Sequence, residues 1–166
     1  MREVSVKDII STVKNLCIEA NYQLGQAEEK ALKEGYEKEE SPTSKETLKQ
    51  ILDNIQISKE GEFPLCQDTG FAVVFVDMGD QVFVKDGNLF EAINEGVRQG
   101  YKEGYLRKSI LGDPIERKNT GDNTPAVIHM NVVKGDKIKV IVAPKGGGSE
   151  NMSEVKMMKP ADGVER

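Results

Sequence analysis

Residues 71–84 read FAVVFVDMGDQVFV, and the character of the chain changes at this stretch. Valine and phenylalanine fill the runs FAVVFV and QVFV, and branched or aromatic side chains of this kind are typical of strands. Between the two runs, MGD supplies a turn, so the sequence predicts a pair of neighbouring strands. The β structure of the molecule is therefore expected to begin here.

The chain before this stretch, residues 1–58, is predicted to be a helical leader. Apolar residues recur at helical spacing from Val6 to Ala20, which predicts an amphipathic helix with Cys17 on its apolar face. Free cysteine in such a position behaves as a small hydrophobic residue, so Cys17 is interpreted as part of the core. Cys66, the other cysteine, lies in a polar context, and no disulfide between them is expected.

Helix boundaries are indicated by capping patterns and by proline. Pro42 is predicted to end the charged segment at residues 27–42. A further helix is predicted to run to about Tyr105, and the glycines at every fourth position along it either arise by chance or let another backbone approach closely. Three pairs have the form of N-terminal caps, namely Ser5 with Asp8, Thr43 with Glu46, and Asn88 with Glu91.

Residues 126–144, AVIHMNVVKGDKIKVIVAP, are predicted to form a hairpin with its turn at Gly135 and Asp136. Alternation along the first arm places His129 on the same face as Val127. Together these elements predict an α+β fold with mainly antiparallel strands and flanking helices. Residues 1–166 are expected to form a single domain, with a strand-rich body at residues 59–166 after the leader.

Composition argues against several classes of function. The chain has 23 basic and 28 acidic residues and a formal charge of -5, so it lacks the basic surface that nucleic-acid binding requires. No apolar run approaches the length needed to span a bilayer, and MREVSVKDII lacks the features of a secretory signal. We therefore expect a cytoplasmic protein that binds neither nucleic acid nor membrane.

Four segments contain polar groups that a core does not require, since buried polar groups lose free energy unless they are paired. They are PLCQDTG at 64–70, YLRKS at 105–109, DPIERKNTGDNTPAVIH at 113–129 and PKGGGSENMSEVKMMKPADG at 144–163. Turn chemistry explains part of the third segment. These segments are the candidates for a functional site.

Within them, the residues alone leave the chemistry open. Cys66 fits a nucleophile activated by His129, a metal ligand or a passive side chain. A zinc site is harder to build, because the chain has a single histidine and no paired cysteine spacing. The glycines at 146–148 fit either a flexible turn or an anion-binding nest of backbone N–H groups.

The strings PLCQDTGFAVVFVDMG, RKNTGDNTPAVIH and KGGGSENMSEVKMMKPADG occur in the order typical of one family. From about residue 5 to the last residue, the chain resembles the N-terminal part of the α-type chain of the iron–sulfur hydro-lyases. This family contains the class I fumarases and the related tartrate dehydratases. The resemblance implies reversible addition of water to a dicarboxylate, with fumarate and malate as the default pair.

The resemblance also implies roles for individual residues. Cys66 matches the first of three cysteine ligands of a [4Fe–4S] cluster whose fourth iron binds substrate, and thiolate suits such a cluster. Gln67 and Asp68 match positions that contact the substrate, and Asp68 is the expected catalytic residue. Arg107 matches an arginine that grips a substrate carboxylate. Backbone groups of Gly146, Gly147 and Gly148 are expected to lie against the same ligand.

The family's α-type chains continue beyond PADGVER, residues 160–166, and carry the other two cluster cysteines there. The chain is therefore expected to be a piece of a longer subunit, or to assemble with a separately encoded remainder. A β-type subunit or domain is the expected partner, in a homo- or hetero-oligomer, and supplies the general base. The isolated chain is expected to be inactive.

Two alternatives to a fumarate hydratase stay open. One is a tartrate dehydratase α chain, whose substrate carries an added hydroxyl. The other is a non-catalytic module that binds a dicarboxylate, or acts in assembly, without the cluster. The roles of His129, Arg117 and Asn119 also stay open between support of the site and a structural role.

Overall fold

The computed structural model describes residues 1–163, apart from the side chains at positions 149, 150 and 152, and has the predicted α+β architecture. Over this range, none of the helices has the length and apolar character required to cross a membrane. Short 3-10 helices lie at Gly147–Met152 and Pro160–Asp162. The main elements are β1 (Arg2–Ser5), α1 (Val6–Tyr22), α2 (Gln26–Lys38), α3 (Pro42–Lys59), β2 (Phe71–Gly79), β3 (Val82–Lys85), α4 (Leu89–Glu103), β4 (Val127–Val133) and β5 (Ile138–Lys145).

Strand β2 is the centre of the larger sheet and is paired along both edges. The strand order is β4–β2–β5, with β4 parallel and β5 antiparallel to β2. Phe75 faces His129 on one neighbour and Ile141 on the other. Backbone N–H and C=O groups must be paired when they are buried, and a central position pairs them on both sides of the strand.

The predicted β4–β5 hairpin is wrong, because β2 lies between its two arms. The connection at residues 134–137 instead passes across the end of β2, where the Gly79 N–H donates to the Lys137 carbonyl at 2.8 Å. One face of β2 is fully apolar and buried, at Ala72, Val74 and Val76. A strand with such an apolar face takes the central position in a sheet. The turn residues at Gly135 do not reveal that β2 lies between β4 and β5.

The predicted pairing of the strands at residues 71–84 is also wrong. Strand β3 pairs with β1, in parallel, and forms a separate two-stranded sheet. The prediction missed β1, because REVS contains one apolar residue and gives no strand pattern. Among the described residues, two of the three strand pairings are parallel, which corrects the expectation of mainly antiparallel strands. Helix α4 lies in the connection from β2 to β4 and provides the crossover that a parallel pair needs.

Helices α1 and α4 pack against each other and contribute to the core that covers the buried face of β2. Ideal Cβ atoms placed on Gly96 and Gly100 would lie 2.7 Å from Val13 Cβ and 2.8 Å from Cys17 Cβ. The glycines therefore allow close approach of the two helices, which confirms that interpretation of their spacing. The buried core comprises Ile9, Val13, Cys17, Ala72, Val74, Val76, Leu89, Ala92, Ile93, Val97, Tyr101 and Leu106.

The helix boundaries agree with two of the three predicted caps. The side chains of Ser5 and Asn88 accept hydrogen bonds from the first turns of α1 and α4. The predicted cap at Thr43 is wrong, because Ser41 caps α3 and Pro42 occupies its first turn. Proline suits that position, since its missing N–H would have no partner there, so Pro42 begins a helix and does not end one.

The packing of α1 on α4 predicts opposite effects for two Gly→Ala substitutions. Gly96→Ala is expected to lower the free energy of unfolding by about 1–3 kcal/mol, because the added methyl overpacks the contact with Val13. Gly35→Ala in α2, where a Cβ meets nothing within 4 Å, is expected to raise it by about 1 kcal/mol. Urea unfolding of the chain measures both, and a neutral Gly96→Ala would contradict the packing.

Candidate functional site

Three of the predicted site residues lie on one cavity. Cys66, Gln67 and Arg107 line a space of about 360 Å³, which is within the range of small-molecule sites. The remaining lining residues are Phe63, Pro64, Thr69 and Tyr105. The folded chain thus brings the PLCQDTG loop and the YLRKS segment together, although about forty residues separate them in sequence.

The two cysteines have different environments. Cys66 is exposed, and its Sγ lies 3.2 Å from Oε1 of Gln67. Cys17 is fully buried, and this burial raises the pKa of its thiol to about 12. Both are free thiols, as predicted, and Cys17 is confirmed as a core residue. Cys66 is therefore the accessible sulfur ligand or nucleophile of the described chain.

Asp68 lies against the glycine segment. It is half-buried, and among the described residues it is outside the lining of the 360 Å³ cavity. An ideal Cβ on Gly146 would come within 2.7 Å of Asp68 Oδ2, so a side chain at position 146 would displace the carboxylate. The structure thus brings Asp68 and Gly146 together next to the cavity loop.

The glycine run does not have the backbone conformation of the anion nest considered from the sequence. That nest relies on positive φ angles, which the described chain shows at other glycines, Gly70 and Gly121 among them. Gly147 and Gly148 instead begin the 3-10 helix Gly147–Met152, and ideal Cβ atoms on them meet nothing within 4 Å. Gly147 and Gly148 therefore have free space around them, and of the two alternatives left open by the sequence they do not form the nest.

Hydrogen bonds from α4 hold the PLCQDTG loop in place. The Tyr101 hydroxyl donates to the carbonyl of Thr69 at 2.8 Å and to that of Gly70 at 3.2 Å. Burial raises the pKa of the Tyr101 phenol above its ordinary value, so the hydroxyl stays protonated and able to donate. The hydroxyl of Thr69 in turn donates to the Arg107 carbonyl at 3.0 Å.

Arg107 reaches the cavity because α4 ends earlier than predicted. The helix stops at Glu103, Gly104 follows as its C-cap, and Tyr105 has a positive φ of 51°. Leu106 then returns to the core with 1% exposure, which turns the exposed Arg107 side chain towards the loop. Tyr105, at which the helix was predicted to end, is 88% exposed and lines the cavity.

The three residues with open roles lie in different places. His129 stacks on Phe75 at a ring distance of 5.1 Å, on the exposed face of the sheet and not in the cavity lining among the described residues. The amide of Asn119 donates to the Lys108 carbonyl at 3.0 Å, next to Arg107. Arg117 is exposed and has a positive φ of 54°. Asn119 is therefore attached to the arginine segment, whereas His129 lies away from the cavity.

An ion pair connects the NTGDNTP turn to α4. Arg98 Nε lies 3.0 Å from Asp122 Oδ2, and Thr124 donates to the same carboxyl group through its N–H and its hydroxyl. Burial alone would raise the pKa of Asp122, but these hydrogen bonds outweigh it and hold the pKa at about 2. Asp122 is therefore charged at neutral pH and fixes the residue that follows it, Asn123.

Cys66 does not belong to a complete metal-binding group in the part of the chain that the structure describes. There, no three His, Cys, Asp or Glu side chains lie close enough together to hold a metal ion. The site contains one soft ligand, an arginine and an amide around a shared space. That arrangement is suited to an anionic ligand, with any metal held only in part by these residues.

Sequence reasoning missed four residues that shape the site. Phe63 and Tyr105 provide aromatic walls, and Gly104 directly before Tyr105 was the available signal that the helix ends there. Tyr101 lies within the predicted helix, but the sequence did not reveal that its hydroxyl anchors the loop. Asn123 was attributed to turn chemistry, although it is fully buried and hydrogen-bonded.

Comparison with known proteins gives consistent results. The sequence profile of the family described as fumarate hydratase (Fumerase) matches residues 10–166. A protein of Methanocaldococcus jannaschii named as the α subunit of an L(+)-tartrate dehydratase is 40% identical over 163 residues. That alignment covers 95% of this chain and 57% of the archaeal protein, so the chain spans little more than half of that relative.

Fumarate hydratases are also among the relatives. The anaerobic class I enzyme of Escherichia coli is 37% identical over 118 residues, which cover 70% of this chain and 21% of that enzyme. The mitochondrial fumarate hydratase 1 of Leishmania major is 39% identical over 117 residues, covering 69% of this chain and 21% of that enzyme. The resemblance inferred from the sequence motifs is thus confirmed, and the chain belongs to the fumarate hydratase (Fumerase) family.

Proposed function

We propose that this chain is the N-terminal portion of an iron–sulfur hydro-lyase that reversibly hydrates fumarate to malate. The observation that carries the proposal is the shared cavity of Cys66, Gln67 and Arg107, which combines a soft metal ligand with a carboxylate-binding side chain. Its volume of about 360 Å³ accommodates a four-carbon dicarboxylate. The family membership of the chain supports the same reaction.

A [4Fe–4S] cluster fits the site through one ligand of this chain. Cys66 is suitable because its thiol is exposed and thiolate is the usual ligand of such clusters. Cys17, enclosed in the core, is not available, so the other ligands are expected from outside this chain. When bound, the cluster supplies an open iron that acts as a Lewis acid on the hydroxyl that leaves or arrives.

The chain's own residues bind and orient the substrate. Arg107 presents a planar fork of donors to one carboxylate. Gln67 contacts the substrate beside Cys66, and Asp68 serves as the catalytic residue of this chain, its carboxylate held against Gly146. The open backbone of Gly147 and Gly148 contributes further contacts. The base that removes the proton from carbon belongs to the β-type partner.

We also propose how this chain is assembled into the complete enzyme. Residues 1–166 form one α+β domain of a longer α-type subunit, which works together with a β-type subunit or domain in an oligomer. The name of the M. jannaschii relative, an α subunit, supports this division into two kinds of chain. The isolated chain, with one cluster ligand, is proposed to be inactive.

Tartrate dehydration is the second candidate reaction. It is favoured by the M. jannaschii relative, whose 40% identity extends over 95% of this chain, whereas the fumarate hydratases named above align with about 70%. Both reactions eliminate or add water at a dicarboxylate. They therefore require the same carboxylate contact at Arg107 and the same cluster ligand, Cys66.

Substrate identity is tested on the enzyme purified with its native partners in the absence of oxygen. Consumption of fumarate, followed by its ultraviolet absorbance, is expected, together with loss of activity in air because an exposed cluster is oxidised. Dehydration of L-tartrate is measured in parallel. Turnover of tartrate alone would select the second candidate, and turnover of neither would contradict the proposed hydro-lyase.

Replacing the cluster ligand tests Cys66. Cys66→Ser is expected to lower the iron and sulfide bound per α chain in the anaerobic enzyme, because a hydroxyl is a poor ligand for iron–sulfur clusters. The matched control is Cys17→Ala, which creates a small core cavity and costs about 1 kcal/mol of stability, but leaves the cluster content unchanged. Full cluster content in Cys66→Ser would exclude Cys66 as a ligand.

Replacing the guanidinium group of Arg107 tests substrate binding. Arg107→Lys keeps the charge but loses the paired donors, so KM for the dicarboxylate is expected to rise about tenfold or more. Arg2→Lys is the control, because Arg2 lies in β1 and lines a different cavity. Steady-state kinetics compare the two variants, and an unchanged KM in Arg107→Lys would remove Arg107 from the site.

A further inference from the structure

Asn123 is a buried polar residue that the proposed reaction does not use directly. Its side chain has 0% exposure, and its φ of 63° lies in the left-handed region that few residues adopt. Asparagine tolerates this conformation better than most residues. The preceding Asp122 fixes the turn through its ion pair with Arg98. The position is therefore held rigidly, and its amide is directed into the protein.

The Asn123 amide connects the two segments that carry the proposed site residues. Its Nδ2 donates to the Gly70 carbonyl at 3.1 Å, at the end of the PLCQDTG loop. Its Oδ1 accepts from the Ser109 N–H at 2.6 Å, at the end of YLRKS. Gly70 is two residues from Asp68, and Ser109 is two residues from Arg107. One side chain thus spans the base of both segments.

We propose that Asn123 is a positioning residue that fixes Arg107 relative to the Cys66–Asp68 loop. This inference rests on the proposed function, because it assigns the spacing of the two segments to dicarboxylate binding. The bond from the Thr69 hydroxyl to the Arg107 carbonyl, at 3.0 Å, is the second link between the segments. Asn123 holds them on the buried side, and Thr69 holds them nearer the cavity that it lines.

The chemistry of the site explains why an asparagine occupies position 123. One partner is a carbonyl, which needs a donor, and the other is an N–H, which needs an acceptor. A side-chain amide offers both at once. Aspartate keeps the acceptor for Ser109 but presents a second oxygen to Gly70, and glycine keeps the left-handed backbone but removes both bonds.

The test compares two variants of the natively purified, oxygen-free enzyme. One is Asn123→Gly, and the other removes a hydrogen bond elsewhere in the protein. Asn123→Gly is expected to raise KM for fumarate or tartrate about tenfold and to speed amide hydrogen exchange at Ser109 about tenfold. The control is Ser58→Ala, which loses the 2.8 Å bond from the Ser58 hydroxyl to the Tyr22 carbonyl. That variant is expected to change neither quantity.

Asn123→Asp separates the two halves of the link and covers the case in which the glycine variant fails to fold. It is expected to keep slow exchange at Ser109 while KM still rises, because only the donor to Gly70 is lost. An unchanged KM in both variants, or unchanged Ser109 exchange in Asn123→Gly, would overturn the positioning role. Absence of turnover in the unsubstituted enzyme would instead overturn the proposed function, and Ser109 exchange would still decide whether the link exists.

Discussion

Pairing of β2 along both edges is the constraint on which the candidate site depends. The register sets Phe71 opposite Lys145, so the residue before the strand, Gly70, meets the backbone that follows β5. A Cβ on Gly70 would lie 2.2 Å from the Lys145 carbonyl carbon. Asp68 and Gly146 come together for this reason. A slip of one residue would expose the buried face of β2 and separate them.

The packing of α4 places Arg107 next to the loop that precedes β2. Gly96 and Gly100 let α4 pack closely against α1. In this position the Tyr101 hydroxyl of α4 donates to the carbonyls of the two residues before β2, Thr69 and Gly70. The loop is thereby attached to the core and not only to the sheet. Shortly after α4 ends, Leu106 packs into the core. This buried side chain fixes the direction of the chain at the next residue, Arg107.

Sequence patterns revealed the local structure but not the long-range pairing. The caps at Ser5 and Asn88 were found because they act within one helical turn. The predicted hairpin at residues 126–144 failed because nothing in its own turn reports that β2 lies between its arms. The PLCQDTG and YLRKS segments were identified as site candidates from their polar composition and from their resemblance to family motifs. Asn123 was missed because an asparagine in a turn has a sufficient local explanation, and its partners are distant in sequence.

Arg107 and Cys66 are both exposed, and this exposure limits what they contribute under the proposed function. Two unit charges 4 Å apart gain about 1 kcal/mol in water but about 4 kcal/mol at an effective dielectric constant of about 20. Under the proposed function, strong binding of a carboxylate by Arg107 therefore requires other protein surface that excludes water from the cavity. Fumarate and tartrate differ in hydroxyl groups, and discrimination between hydroxyls depends on buried hydrogen-bonding partners. Under the proposed function, the groups that close the cavity decide the substrate, whereas Cys66 and Arg107 provide contacts that both reactions require.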